Sequence, residues 1–273
     1  MPEISTDYNK ISKEIRKKIL KMIYNSQTSH IGAALSCVDI LTVLYFKILK
    51  IYPANPWFQN RDRFILSKGH AASTLYATLS KRGFFSEDVL NDYCKDGSNL
   101  LGHSTMHCVP GVEVSTGSLG HGLSIGIGMA LAAKHDNRNY RTFVLLSDGE
   151  CNEGSLWEAV MFASHHKLDS LIAIVDCNKL QAFGETKDVI DLEPLADKWS
   201  SFGWTVKEID GHNFNQIKDN LKKIPFKEGK PSVIIANTIK GKGVSFMENN
   251  LAWHYKSPTE KEYKIAVKEI NEA

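Results

Sequence analysis

No two cysteines in the sequence have the C-x-x-C spacing, and the five thiols, Cys37, Cys94, Cys108, Cys151 and Cys177, are odd in number. Neither a disulfide framework nor a zinc-ribbon site is indicated, and a reducing, cytoplasmic setting is the expected one. A surplus of charge is missing too: Lys plus Arg numbers 33 against 31 for Asp plus Glu, and only "KEIRKKILK" concentrates basic residues. That balance gives no electrostatic footprint for nucleic acid or a membrane surface. No apolar run approaches the ~20 residues that cross a bilayer, and the amphipathic start "MPEISTDYNKISKEIRKKIL" lacks the apolar core of a signal peptide. There is also no G-x-x-x-x-G-K-[ST] loop, and "GIGMAL" lacks the strand-turn-helix setting of a dinucleotide fingerprint.

What is present is enough apolar material for a large core: 42% of 273 residues, with no repeat and no convincing linker. One domain over 1–273 is expected. Ile11, Ile15, Ile19 and Ile23 recur every four positions and predict a first helix; "SCVDILTVLYFKIL" predicts a second, with Ser36 as its N-cap. "RFILSKGHA" reads as a strand entering a glycine turn, and "HAASTLYATLSKRG" as a helix stopping at Gly83. In the helix that follows "GVEVSTGSLGHG", Gly122, Gly126 and Ala130 share one face, which suits either tight core packing or a close approach by a subunit or ligand.

From Arg141 the pattern alternates: strand "TFVLLS", helix "GSLWEAVMFASHHK", strand "LIAIVD", helix near "LEPLADKWSSFG", strand "WTVKEI", helix "FNQIKDNLKKI", strand "SVIIANT". A C-terminal helix is expected in "SPTEKEYKIAVKEINEA". Apolar strands alternating with amphipathic helices predict an α/β fold, a parallel sheet flanked by helices on both faces.

Ligands of such sheets bind beyond the carboxyl ends of the strands. Those ends deliver Lys68, Gly69 and His70, then Asp148 and Gly149, then Asp176, Asn178 and the backbone near Leu180, then Lys240 and Gly241. A right-handed crossover brings Asp148 and Asn178 to one rim. A carboxylate, an amide oxygen and a backbone carbonyl suit Mg²⁺ or Ca²⁺, and so few protein charges leave room for the oxygens of a diphosphate. Taken alone, "SDG" also fits an ordinary β-α turn capped by its Asp. His30, His70, His103 and His254 each stand beside glycine or in a polar turn, and four in such settings favour proton transfer or binding of hydroxyls. A zinc pair from His103 and His107 is disfavoured by the glycine- and proline-bounded "GHSTMHCVPG". His165 and His166 are read as surface or packing residues.

With "TSHIGAALS", "DRFILSKGHAASTLYA", "LGHSTMH", "PGVEVSTGSLGHGLSIGIGMALA", "SDGECNEGSLWEA", "IVDCNKLQAFGET" and "NTIKGKGVSFMENNLAWHYK" in this order, the chain resembles the thiamine diphosphate-binding half of transketolase. It is similar in particular to the N-terminal subunit of a split transketolase. The resemblance implies the thiamine diphosphate-binding fold, and Asp148, Asn178 and the Leu180 carbonyl as ligands of Mg²⁺ or Ca²⁺. It implies cofactor contacts from Lys68, His70, Gly117, Leu119, Gly149, Gln181, Lys240 and His254. Glu150 is counted with them, a helix-start charge or backbone contact being its alternative. His30, His103 and His254 match histidines that handle hydroxyls and protons of the donor, and Glu153 matches a glutamate linking two cofactor sites. Ser147 and Cys177 depart from the family's Gly-Asp-Gly and Asn-Asn, at positions that supply no ligand atom.

The implied activity is transfer of a two-carbon ketol unit from a ketose phosphate to an aldose phosphate, as in pentose phosphate metabolism. The pyrimidine and C-terminal domains are expected on a partner, a C-terminal transketolase subunit, in a two-plus-two heterotetramer. Alternatives are a deoxyxylulose-phosphate synthase-like enzyme, a ketol transferase for an unusual sugar, or a non-catalytic cofactor-binding module.

Overall fold

The computed structural model describes residues 7–272, so residues 1–6 of the predicted amphipathic start, and Ala273 of the predicted C-terminal helix, lie outside the described residues. Helix α1 (Tyr8–Ser26) buries Ile15, Ile19 and Ile23, leaves Ile11 half-buried, and is capped by Asp7, whose side chain accepts from the Lys10 N–H. The second expected helix, read from Ser36 onward, is α3 (Val38–Val43) followed by a π turn, Leu44–Ile48, and part of the small, polar stretch before it, where a turn was expected, forms a further helix, α2 (Ile31–Ser36). Ser36 is therefore not an N-cap. It ends α2, and its hydroxyl donates across the core to Asp176 Oδ2 at 2.5 Å.

The chain continues through β1 (Arg63–Leu66), α4 (Ala72–Arg82), α5 (Gly122–His135), β2 (Thr142–Ser147), α6 (Gly154–His165) and β3 (Leu171–Cys177). It ends with α7 (Thr186–Val189), α8 (Leu195–Ser201), β4 (Thr205–Asp210), α9 (Phe214–Leu221), β5 (Ser232–Asn237) and α10 (Glu260–Glu272). Gly83 ends α4 with φ +90°, as its stop signal predicted. All five strands are parallel, in the order β1-β2-β3-β5-β4.

Alternate side chains of the strands feed two cores. Phe64, Leu66, Phe143, Leu145, Ile172, Ile174 and Ile234 pack with α1, α3, α4 and α9. Ile65, Val144, Leu146, Ala173, Val175 and Ile235 pack with α5, α6 and α8. β2 and β3 are buried throughout, as strands covered on both faces must be. β4 is not the apolar strand expected, because it forms the sheet's edge and leaves Lys207 and Glu208 exposed. On α5, the small-residue face packs on the sheet: a Cβ at Gly126 would lie 2.7 Å from Val144 Cγ2. Core packing therefore explains that face.

The topology positions the site. After β1 the chain enters the face of α4, and after β2 the opposite face of α6. After β3 it continues on the face of α8, while the residues beyond β5, Val244, Met247 and Trp253, join the face of α1. β1 and β2, and likewise β3 and β5, thus send their exits to opposite faces, and a crevice opens at the carboxyl ends of these strands.

Candidate functional site

A cavity of about 420 Å³ fills that crevice. Of the expected site residues, it brings together His30, His70, His103, Gly117, Leu119, Asp148, Gly149, Glu153, Asn178, Leu180, Gln181, Lys240 and His254. Lys68 and Glu150 are placed behind its wall. Their side chains are engaged by partners inside that wall.

Lys68 is fully buried and ion-paired with Asp176, and it donates to the Ala33 carbonyl at 3.1 Å. Asp176 also accepts from Ser36 and from the Thr238 hydroxyl. Burial alone would raise the Asp176 carboxyl, but Lys68 and the hydroxyls outweigh it and hold it below the ordinary range. Glu150 is equally buried and accepts from the Ser67 hydroxyl, the Gly120 N–H at 3.0 Å and the Ser147 N–H at 3.2 Å. It ties the exits of β1 and β2 to the segment before α5. Sequence spacing could not assign either residue, because the ion pair of Lys68 and two of the three partners of Glu150 lie 30 or more positions away.

Asp148 lacks such a cation. Its carboxylate, 2% exposed, accepts, among the described residues, only the N–H groups of Gly149 at 2.7 Å and Lys179 at 2.5 Å. Burial first, then the Asp176 charge, raise the Asp148 carboxyl to about 6. Asn178 is buried as well, and its Oδ1 accepts the Leu180 N–H at 3.1 Å. Gly149 keeps the floor low, since a Cβ there would lie 2.9 Å from Gln181 Cγ. The donor set, a carboxylate, an amide oxygen and the Leu180 carbonyl, is all oxygen and suits a hard divalent cation. A buried carboxylate whose charge is disfavoured would be relieved by one. Among the described residues no group of three or more His, Cys, Asp or Glu side chains could hold a metal, so such an ion would depend on amide, backbone and ligand oxygens.

Lys240, 1% exposed, crosses the cavity wall: its Nζ donates to the carbonyls of Leu180 (3.0 Å) and Gln181 (3.3 Å) and to His254 Nδ1 (3.0 Å). An ammonium can only donate, so His254 accepts on Nδ1 and carries its proton on Nε2. Burial, then repulsion from Lys68, lowers the Lys240 ammonium to about 8.

Opposite lies a histidine cluster centred on His30, whose ring lies 5.0 Å from His254, 5.4 Å from His70 and 5.6 Å from His103. His30 starts α2 with φ +75°, and its N–H donates to the His254 carbonyl at 2.8 Å. Such a conformation is held only where surrounding contacts impose it. Burial, then His103 and Lys240, lowers His30 to about 4; burial, then Lys240 and His30, lowers His254 to about 3. His70 lies well below its ordinary value through burial and Lys68, and His103 below its own through burial. Four neutral imidazoles at pH 7 can accept a proton or pass one on. Gly117 makes room for one of them: its φ is +135°, and a Cβ would lie 2.7 Å from His103 Cδ2.

Outside the cluster, His107 stacks edge-on with Trp57, and His166 packs on Phe162. At the mouth, Glu153 is exposed and makes no side-chain cap to α6. The lining also includes residues that the sequence reading missed. Asn152 accepts from Gln181 Nε2 at 2.7 Å, and Phe183 and Ile190 border the opening at 83% and 61% exposure. Two apolar residues in the polar loop after β3 were the only available signal.

The family model described as "Transketolase, thiamine diphosphate binding domain" matches residues 8–270. The chain is 46% identical over 261 residues to an apulose-4-phosphate transketolase subunit of Phocaeicola vulgatus, covering 96% of this chain and 92% of that one. It is 43% identical over 270 residues to 6-deoxy-6-sulfo-D-fructose transketolase subunit SqwG of a Clostridium species, covering 99% and 98%. Among solved structures, the transketolase of Campylobacter jejuni superposes with a TM-score of 0.91 at 31% identity, covering 97% of this chain and 42% of its own. That of Leishmania mexicana gives 0.92 at 27% identity, covering 97% and 41%. The chain therefore spans about two-fifths of the solved transketolases it matches.

Proposed function

The chain belongs to the transketolase thiamine diphosphate-binding family, and from that membership we propose that it is the N-terminal subunit of a two-chain transketolase. Bound thiamine diphosphate would supply the electron sink for moving a two-carbon ketol unit from a ketose phosphate to an aldose phosphate. Asp148, Asn178 and the Leu180 carbonyl would hold Mg²⁺, or Ca²⁺, beside the diphosphate. Gly149 would admit the diphosphate to the floor, Lys240 and His70 would supply charge and hydrogen bonds to it, and Gly117, Leu119 and Gln181 would contact the cofactor. His30, His254 and His103, neutral beforehand, would orient the donor's hydroxyls and accept their protons, each becoming an imidazolium as it does so.

The observation that carries this reading is one cavity in which Asp148, Asn178 and Lys240, from the exits of three neighbouring strands, meet the histidine cluster. Exposed Phe183, Ile190 and Glu153 at its mouth support a second chain that covers it and brings a pyrimidine domain, in a two-plus-two assembly. Glu153 would then link the two cofactor sites. The names of the relatives, one acting on apulose 4-phosphate and one on a sulfonated fructose, favour an unusual sugar over the common pentose phosphates as the donor.

Calorimetric titration with thiamine diphosphate should give binding that depends on Mg²⁺. Ketol transfer should require co-expression with a C-terminal subunit. Full transfer by the purified chain alone would remove the partner from the proposal, and metal-independent binding would remove the cation.

A further inference from the structure

A second buried cluster lies on the far side of the segment that carries Lys240. The carboxylate of Asp39, 4% exposed on α3, accepts Arg16 Nη1 at 2.9 Å and Arg16 Nη2 at 2.7 Å. It also contacts His212 Nδ1 at 2.8 Å. The other ring nitrogen, His212 Nε2, lies 2.8 Å from the backbone nitrogen of Ile239, the residue before Lys240. A backbone N–H only donates, so Nε2 accepts and bears no proton, and the ring proton resides on Nδ1 and is given to Asp39. Both nitrogens of a single neutral tautomer are thus committed.

The fold brings these groups together through the ends of two strands. Asp210 of β4 stands in register with Asn237 of β5, and the Gly211 N–H donates to the Asn237 carbonyl at 2.8 Å. A Cβ at Gly211 would lie 3.1 Å from that carbonyl oxygen, so glycine lets His212 turn in beneath Ile239. The same segment is held at further points. Arg16 Nε donates to the Lys242 carbonyl at 3.1 Å, the Gly241 N–H to Gly32 of α2 at 2.9 Å, and the Asn249 N–H to the Lys240 carbonyl at 2.9 Å. None of these contacts comes from the cavity, yet all fix the backbone from which Lys240 reaches it.

We infer that His212, oriented by Asp39 and Arg16, is a positioning residue for Lys240: it holds the Ile239 N–H and so sets where the ammonium stands in the site. The role acts through the backbone, as second-layer groups behind a metal ligand act through that ligand. The inference rests on the assignment of Lys240 to the cofactor's diphosphate, and the experiment separates the two.

In the wild-type chain without cofactor, ¹⁵N spectra of the imidazole should show His212 protonated on Nδ1 alone, and the Ile239 amide should exchange slowly. His212→Phe keeps a ring and removes the acceptor; the Ile239 amide should then lose protection while overall secondary structure persists. Affinity for thiamine diphosphate with Mg²⁺ should fall about 10-fold in His212→Phe and recover in part in His212→Gln, which restores an acceptor. The loss should not add to that of Lys240→Met in the double variant. A proton on Nε2 in the wild type, an unchanged Ile239 amide in His212→Phe, or additive losses would each overturn the inference. Should His212→Phe fail to fold, the wild-type tautomer and amide exchange decide it alone. Should Lys240→Met bind the cofactor normally while the Ile239 amide responds as expected, the diphosphate assignment fails and the backbone clamp stands.

Discussion

The two rims of the sheet treat their buried charges in opposite ways. At the amino end, Asp62 accepts the N–H groups of Lys50 and Arg141 and the Arg141 guanidinium at 2.6 Å, while Arg61 pairs with Glu113 through both nitrogens. Each carboxylate there has its cation. At the carboxyl end, Asp176 has Lys68, but Asp148 has only two N–H donors, and Lys240 gives its protons to carbonyls and an imidazole. A closed set of ion pairs serves the fold, whereas charges left short of counter-charges in a cavity await a ligand.

Four substitutions or conditions test that contrast. The largest effect is expected for Asp148→Ala: affinity for thiamine diphosphate with Mg²⁺ should fall more than about 100-fold, beyond the loss usual for outer partners of a metal. Folding stability should change by less than about 1 kcal/mol, because removing a disfavoured buried charge offsets two lost N–H bonds. Calorimetry and chemical denaturation read the two separately, and a large stability loss with intact binding would reverse the assignment. At the opposite rim, Asp62→Ala should cost about 3 kcal/mol of stability, since it leaves Arg141 and two N–H groups without their acceptor. Its cofactor affinity should stay near wild type in the folded protein.

Gly117→Ala should cost about 2 kcal/mol, because the left-handed backbone disfavours a side chain and the new methyl group meets His103. A displaced His103 imidazole signal should accompany the lower melting temperature. The smallest effect concerns pH. His30 and His254 titrate at about 4 and about 3 in the fold, against 6.5 when unfolded. The unfolded chain therefore takes up protons first on acidification. The stability from their neutral rings is complete above about pH 6.5 and is lost as pH falls through about 4. Asp148, raised to about 6, opposes them, since below pH 6 it gains a proton in the fold before the unfolded carboxyl does. With two rings against one carboxyl, the melting temperature should be lower at pH 5 than at pH 7.5, by about 2–4 °C for each kcal/mol lost. His30→Asn with His254→Asn should narrow that gap.

Much of the architecture was legible because strands covered on both faces must be apolar throughout. "TFVLLS", "LIAIVD" and "SVIIANT" became β2, β3 and β5 within a residue of their ends. Helix α2 was not, because the small and polar residues of "NSQTSHIGAA" read as a turn, and burial against the core rather than periodicity makes Ile31–Ser36 helical. Edge strand β4 misled for the opposite reason: its position in the sheet, not its composition, decides which residues meet water. In the site, residues announced by glycine neighbours or by a strand end were brought to the cavity, among them His30, His70, His103, Asp148, Asn178 and Lys240.

By itself, then, the sequence determined a parallel α/β sheet and a carboxyl rim furnished with acid, amide, ammonium and imidazole groups. Periodicity and strand-end residues are local, and local order along the chain is enough to specify them. Only the tertiary structure decided how each group is employed. Lys68 and Glu150 are spent on partners inside the wall, Asp148 is left without a cation, and His212 reaches Lys240 through the backbone of Ile239. Those assignments depend on hydrogen bonds and burial between residues far apart in the chain, and the charge a group keeps is set by the neighbours that folding places around it.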